Sequence, residues 1–193
     1  MIDKLIEIDR FISLVINNGN SVFVDHIMMF VSKVWVWVPL YAFVIILLLV
    51  RLGFKKGMVA VAMLALAFLI TDQSSSILKD TICRLRPFAD PDLKYRFRLL
   101  ERAGGLYGFP SGHACSTFCF ALLSSLIIRK IWWTIPSMAW AGIISYSRIY
   151  VAKHFFGDVI CGILLGAIVG VLIHFVYKYV ISRLKETEAL DRR

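Results

Sequence analysis

The chain has 193 residues, of which 59% are hydrophobic and only 18% are charged, and its mean hydropathy is +0.75. These values exclude an ordinary soluble globular protein and indicate an integral membrane protein. The net charge is +9, but the basic residues lie at the ends of apolar segments, so the lipid bilayer with its anionic headgroups is the expected partner and nucleic acid is not. Linkers and repeats do not divide the sequence, which predicts one domain over residues 1–193.

Residues 1–20 place apolar side chains at helical spacing and charged side chains between them. The segment lacks both a basic start and a small-residue cleavage site, so we expect no signal peptide. Its apolar positions predict an amphipathic surface helix that lies in the headgroup plane; they are Leu5, Ile8, Ile12 and Val15. A soluble flanking helix fits the same pattern.

Five apolar segments are long enough to approach the roughly 20 residues that cross a bilayer as a helix. They are Ile27–Val50, Met58–Leu78, Ala114–Ile128, Trp132–Val151 and Val159–Ile181. Val22–Lys33 is the alternative for a separate half-helix before the first span. The sequence therefore predicts an all-α, polytopic membrane helical bundle of about five to six transmembrane helices with an N-terminal amphipathic helix.

Residues 79–113 form the one long polar stretch and are expected to be an extramembrane catalytic loop. Basic residues follow the first, third and fifth spans, and this end should be cytoplasmic. They are Arg51, Lys55, Lys56, Arg129, Lys130, Arg183, Lys185, Arg192 and Arg193. The loop then faces outward, although its own Lys and Arg residues oppose this orientation unless several of them bind substrate.

The first polar cluster lies at the end of the second span, where Lys79 is followed by Arg86 directly before a proline. An arginine fork and a compact lysine charge together suit the oxygens of a phosphoryl group. Interfacial anchoring of the span would explain the same two cations.

The second cluster is Pro110-Ser111-Gly112-His113, which opens a helix with Ser111 as its cap. Free backbone N–H groups at such a helix start can bind an anion, and Gly112 lets that anion approach closely. His113 would then lie beside the anion and could protonate a departing oxygen. A turn with a helix cap is the alternative.

In the third cluster His154 and Asp158 are four residues apart, so they share one face at the start of the last span. The carboxylate can hold one ring nitrogen and leave the other as a nucleophile. Arg148 adds a third cation across a short turn. An ordinary helical acid–histidine pair is the alternative.

In order and spacing, the three clusters resemble the full signature of the type 2 phosphatidic acid phosphatase (PAP2) superfamily. They read Lys-x6-Arg-Pro, Pro-Ser-Gly-His and Ser-Arg-x5-His-x3-Asp. The resemblance implies that His154 is the nucleophile, that Asp158 orients it and that His113 protonates the leaving group. It also implies phosphate binding by Lys79, Arg86, Arg148, Ser111 and Gly112. The family needs no metal or other cofactor, and the sequence offers no acid and histidine spacing typical of a dinuclear site.

The resemblance implies a membrane lipid phosphatase that acts through a phosphohistidine intermediate. A bacterial envelope lipid is the expected substrate, either undecaprenyl diphosphate or a lipid A phosphate, with phosphatidylglycerophosphate and phosphatidic acid as alternatives. The expected location is the inner membrane, with the site facing the periplasm or the outside. A small membrane transporter and a structural membrane subunit are the alternatives from other classes, and the sequence gives no oligomeric state.

Two features outside the signature carry expectations of their own. Gly162, Gly166 and Gly170 form a small-residue stripe, which predicts close helix packing within the bundle. Asp72 lies two turns before Lys79 on the same face and is expected to support the site by hydrogen bonding.

Overall fold

The computed structural model describes residues 2–19 and 21–190, with side chains as far as residue 187. This part of the chain is almost entirely helical, which confirms the predicted all-α class. Its elements are α1 (Ile2–Asn17), α2 (Val22–Val31), a 3-10 turn (Val34–Trp37), α3 (Val38–Leu52), α4 (Phe54–Ile82), α5 (Gly112–Ile128), α6 (Ile131–Tyr150) and α7 (Phe156–Leu190).

Helix α5 is the centre of the bundle and packs against α4, α6 and α7. The glycine stripe of α7 makes the closest of these contacts possible. A Cβ on Gly166 would overlap the backbone of Cys115, and a Cβ on Gly162 would lie 2.5 Å from the Ser111 carbonyl oxygen. The prediction that this stripe packs helices within the bundle is therefore confirmed.

Three segments are long and apolar enough to cross a bilayer, namely Val34–Leu52, Phe54–Ile82 and Phe156–Thr187, while α2 and α5 are shorter apolar helices. Large apolar side chains remain exposed along α3 and α7, among them Ile46, Leu172 and Phe175. Such a surface suits contact with lipid. These features support an integral membrane protein.

The predicted continuous span Ile27–Val50 is wrong. Helix α2 ends at Val31, and the chain passes through the 3-10 turn before α3 begins. A proline in the first turn of α3 favours a new helix start there. The Trp37 indole donates to the Val31 carbonyl at 2.8 Å and fixes the break. The alternative of a separate half-helix agrees with α2.

Helix α1 ends at Asn17, so it is shorter than the predicted segment 1–20, of which Met1 and Asn20 lie outside the described residues. Leu5, Ile8 and Val15 are exposed. The opposite face packs on the loop between α4 and α5 and on the α6–α7 connection, where Leu14 joins a buried cluster with Leu93, Phe97, Ala152 and Phe155. The position of α1 in the headgroup plane stays a prediction.

The predicted loop 79–113 is shorter than expected at both ends. Helix α4 continues to Ile82 and α5 begins at Gly112, so the loop covers residues 83–111. Its base is closed by an antiparallel bridge between Leu85 and Tyr107. The Gly108 N–H also donates to the Arg84 carbonyl at 2.8 Å. This pairing holds the two ends of the loop together above the bundle.

Candidate active site

Six of the eight predicted site residues line one cavity of about 340 Å³ between α4, α5, α6 and the α6–α7 connection. They are Lys79, Arg86, Gly112, His113, Arg148 and His154. The other two, Ser111 and Asp158, are fully buried behind the cavity wall. Asp72 also lines the cavity. Three segments that are distant in sequence therefore meet at one end of the bundle.

Lys79 and Arg86 reach the cavity from the two sides of the α4 terminus. Lys79 lies in the last turn of α4, and the Arg86 Nε donates to the Tyr107 carbonyl at 2.9 Å. A Cβ on Gly112 would lie 3.3 Å from the Lys79 Nζ and 3.2 Å from the Ser75 Oγ. Glycine at position 112 thus lets the ammonium group approach the start of α5.

The Ser111 hydroxyl caps α5 by accepting from the Ala114 N–H at 3.5 Å. The Ser111 N–H donates to the Asp158 carbonyl at 2.9 Å, which joins the start of α5 to the first turn of α7. The hydroxyl is therefore turned to the helix end and not to the cavity. The groups that this segment offers to an anion are the first-turn backbone N–H groups at Gly112 and His113.

Arg148 is the most deeply buried cation of the cavity, with an exposed fraction of 5%. Its Nη1 donates to the Ser32 hydroxyl and lies 3.5 Å from the Glu101 Oε2. The Arg148 Nε has no hydrogen-bond partner among the residues that the structure describes. A buried guanidinium with an unused donor suits an anionic ligand.

The geometry of His154 differs from the sequence expectation. Its Nδ1 lies 2.8 Å from the Gly108 carbonyl oxygen but 3.7 Å from the Asp158 Oδ2, which is too long for a hydrogen bond. The Nδ1–H therefore donates to Gly108, and the Nε2 keeps its lone pair. The carboxylate that was expected to hold the ring acts on it only through space.

The charge state of His154 follows from its surroundings. Burial, together with the positive charges of Arg148 and Arg86, holds the pKa of His154 well below its ordinary value of 6.5. The ring is consequently neutral near pH 7. A neutral imidazole with a fixed tautomer is the form that can attack phosphorus.

Three positions that contact the predicted site residues escaped the sequence analysis. Gly108 accepts a hydrogen bond from His154 through its carbonyl, and a Cβ there would lie 3.0 Å from both the Arg86 Cγ and the Asp158 Oδ2. Arg84 donates to the Asp158 Oδ1 at 2.7 Å, and Lys153 is buried beside Arg148 in a neighbouring cavity. Their nearness to the signature motifs in sequence is the only signal that could have drawn attention to them.

These elements define a class of protein: a helical membrane protein with a cavity lined by cations and two histidines at one end of its bundle. The chain belongs to the PAP2 superfamily, whose family model matches residues 56–182. The resemblance drawn from the three motifs is therefore confirmed.

Curated relatives agree with this assignment. The chain is 34% identical to the lipid A 4'-phosphatase of Bacteroides thetaiotaomicron, over 96% of the chain and 84% of the relative. It is 33% identical to the lipid A 4'-phosphatase of Porphyromonas gingivalis, over 94% and 78%. It is also 33% identical to the undecaprenyl-diphosphatase of Sulfolobus acidocaldarius, over 79% and 70%.

Solved structures share the fold. The structure of LpxE from Aquifex aeolicus superposes with a TM-score of 0.67 at 27% identity, covering 84% of this chain and 92% of that one. A phosphatidylglycerolphosphate phosphatase from Bacillus subtilis superposes with a TM-score of 0.69 at 20% identity, over 93% and 87%. The chain is thus a PAP2-type membrane lipid phosphatase, and the transporter and structural-subunit alternatives are wrong.

Proposed function

We propose that the enzyme removes a phosphate group from a bacterial envelope lipid through a phosphohistidine at His154. The observation that carries this proposal is the convergence of two histidines and three cations on one cavity at the end of the bundle. Phosphoryl transfer through a phosphohistidine requires an imidazole nucleophile, a proton donor and charge-neutralising groups. Residues 1–193 would act as one domain, with the 83–111 loop as its extramembrane part.

In the first step the His154 Nε2 attacks phosphorus, and the bond from phosphorus to the lipid oxygen breaks. His113 gives its proton to that oxygen, so the lipid leaves as a neutral alcohol or, from a diphosphate, as a protonated phosphate. In the second step water attacks the phosphohistidine. His113 takes a proton from this water, and the His154 ring leaves in its neutral form with inorganic phosphate as the product.

Charge neutralisation is assigned to Lys79, Arg86, Arg148 and the start of α5 at Gly112. The transferring group spreads negative charge over its oxygens, and fixed cations in a buried site stabilise that charge without reorganising. The donor set suits an anion better than a metal ion. Within residues 2–19 and 21–187, His, Cys, Asp and Glu side chains form no group of three or more that could hold a metal ion. Metal independence remains part of the proposal.

The 4'-phosphate of lipid A is the preferred substrate. The two lipid A 4'-phosphatases match at least 94% of the chain, whereas the undecaprenyl-diphosphatase matches 79%. Undecaprenyl diphosphate is the second candidate for this reason. An assay of the purified protein distinguishes four candidate substrates: these two lipids, phosphatidylglycerophosphate and phosphatidic acid. Highest kcat/KM on any of the other three lipids would overturn the assignment of lipid A.

We further propose that the enzyme lies in the inner membrane with its site facing the periplasm. Basic residues lie at the α3–α4 junction and at the ends of α5 and α7, and Arg192 and Arg193 lie outside the described residues. They favour a cytoplasmic position for the end of the bundle that is opposite to the site. Cys83 is exposed beside the site, and Cys115 and Cys119 are buried. A membrane-impermeant maleimide should therefore label Cys83 from the periplasmic side of intact cells. Labelling only after the inner membrane is opened would reverse the orientation.

The different roles proposed for the two histidines can be tested with two substrates whose leaving groups differ in their need for a proton. His113→Ala should be severely impaired on a lipid phosphate monoester, whose alkoxide leaves poorly. It should be much less impaired on p-nitrophenyl phosphate, whose phenolate leaves without a proton. His154→Ala should be inactive on both, because leaving-group quality cannot replace the nucleophile.

The measurement is kcat/KM of both variants on both substrates in one detergent, with thermal melting as the control for folding. An equal loss for His113→Ala on the two substrates would reject it as the proton donor. Substantial p-nitrophenyl phosphate turnover by His154→Ala would reject it as the nucleophile.

A further inference from the structure

Asp158 is fully buried and is held by two donors from different elements. The Arg84 Nη1 donates to its Oδ1 at 2.7 Å, and the Phe155 N–H donates to its Oδ2 at 3.0 Å. The same Oδ2 faces the His154 ring. Because the carboxylate does not bond the ring directly, its effect on His154 depends on how firmly these donors fix it.

Arg84 is itself held by the N-terminal helix. Its Nη2 donates to the Asp9 Oδ2 of α1, and its guanidinium stacks on the Phe155 ring with its carbon 4.7 Å from the ring centre. One guanidinium thus bridges a carboxylate of α1 and a carboxylate beside the nucleophile. Such a two-sided arginine is fixed in orientation by its planar fork.

Helix α1 also caps the helix that carries Asp158. The Gly157 N–H donates to the Asp9 Oδ1 at 2.6 Å, and the Phe156 N–H donates to the Ser13 Oγ at 2.8 Å. Side chains from another helix therefore satisfy two of the free N–H groups at the start of α7. A Cβ on Gly157 would lie 3.3 Å from the Asp9 Oδ1, so glycine allows this close approach.

We propose that Asp9 and Arg84 are positioning residues of the phosphatase, and that they act through Asp158 and the start of α7 on His154. This inference rests on the proposed role of His154. Asp9 and Arg84 hold the Asp158 carboxylate facing the ring, and the fixed negative charge of that carboxylate stabilises the imidazolium character of the ring during phosphoryl transfer. Removal of Asp9 would leave Arg84 to neutralise Asp158 alone.

The test compares Asp9→Asn, Arg84→Gln and Arg84→Lys with the matched control Arg10→Gln on p-nitrophenyl phosphate. Arg10 follows Asp9 on α1 and joins the same loop through Asp90 at 3.0 Å. It therefore tethers α1 to the loop without bonding to Asp158 or Arg84. A general loosening of α1 would affect the control and Asp9→Asn alike.

Asp9→Asn and Arg84→Gln should lower kcat on the order of tenfold to a hundredfold, the range seen when groups that orient a histidine are removed, while KM changes little. Arg84→Lys should recover part of kcat, and Arg10→Gln should resemble wild type. The double variant Asp9→Asn/Arg84→Gln should lose little more than the worse single variant, because the two residues act in one series.

Three outcomes would overturn the inference: wild-type kcat in Asp9→Asn, additive losses in the double variant, or equal losses in Asp9→Asn and Arg10→Gln with matching falls in Tm. A His154→Ala arm separates this failure from failure of the proposed function. An inactive His154→Ala beside a fully active Asp9→Asn rejects only the positioning role, whereas an active His154→Ala rejects the nucleophile itself.

Discussion

Replacement of Gly166 by alanine should separate α7 from α5 and destabilise the protein. A Cβ at this position meets the backbone of Cys115, which cannot rotate away as a side chain could. Overpacking of this kind typically costs about 1–3 kcal/mol. A glycine-to-alanine change in a helix also gains about 0.5–1 kcal/mol from backbone entropy. A matched control is needed to remove this second effect.

Gly142 on α6 provides the control, because a Cβ there has no atom within 4 Å. The entropic gain is common to both variants, so the difference between Gly166→Ala and Gly142→Ala isolates the steric cost. At roughly 2–4 °C per kcal/mol for a chain of this size, Gly166→Ala should melt about 2–12 °C below Gly142→Ala in the same detergent. Equal melting temperatures would refute the close α5–α7 packing.

Three further predictions concern the chemistry. Because the pKa of His154 is low in the folded protein, only the unfolded chain protonates this ring just below pH 6.5. The free energy of unfolding should therefore fall as the pH drops from 6.5 toward the pKa of the folded state, and it should fall less in His154→Gln. An NMR titration of the His154 ring with a midpoint at or above 6.5 would contradict this. Vanadate should inhibit the enzyme, since its five-coordinate adduct resembles the transition state. A chelator should leave activity intact. Loss of activity with the chelator, restored by added divalent metal, would disprove metal independence. Gly108→Ala should lower kcat roughly a hundredfold, as a shift of ~1 Å can, because its Cβ would press on Arg86 and Asp158. Gly105→Ala in the same loop, with open space around its Cβ, should be unaffected, and equal effects of the two changes would contradict the account.

The sequence predicted the helical class and the meeting of the three motifs because both depend on local patterns. Apolar segments of sufficient length indicate spans wherever they occur, and motifs at alternate span ends must share one face. The break at Ser32 was predicted only as the alternative of a separate half-helix over Val22–Lys33, since apolar segments lie on both sides of it. A tertiary contact adds to its local causes: Ser32 is bonded by Arg148, which comes from a helix 116 residues further along the chain.

The same limit explains the error about the His154 partner. An i, i+4 spacing places Asp158 near the ring, and the sequence analysis took that nearness for a bond. The Gly108 carbonyl is a better placed acceptor, but every residue has a carbonyl, so no residue type marks it. Only the loop closure between Arg84 and Gly108 brings that carbonyl to the ring.

Helix α1 shows how a correct pattern can still hide a function. Its hydrophobic period is real, and the exposed Leu5 and Ile8 remain available for lipid. The polar face carries Asp9 and Ser13 into contact with the start of α7, a contact that the sequence analysis did not predict. Asp9 and Gly157 are 148 residues apart, so no window of sequence could link them. Because one helix presents apolar side chains outward and bonds Arg84 and the start of α7 inward, a displacement of α1 would reach Asp158 both through Arg84 and through the first turn of α7.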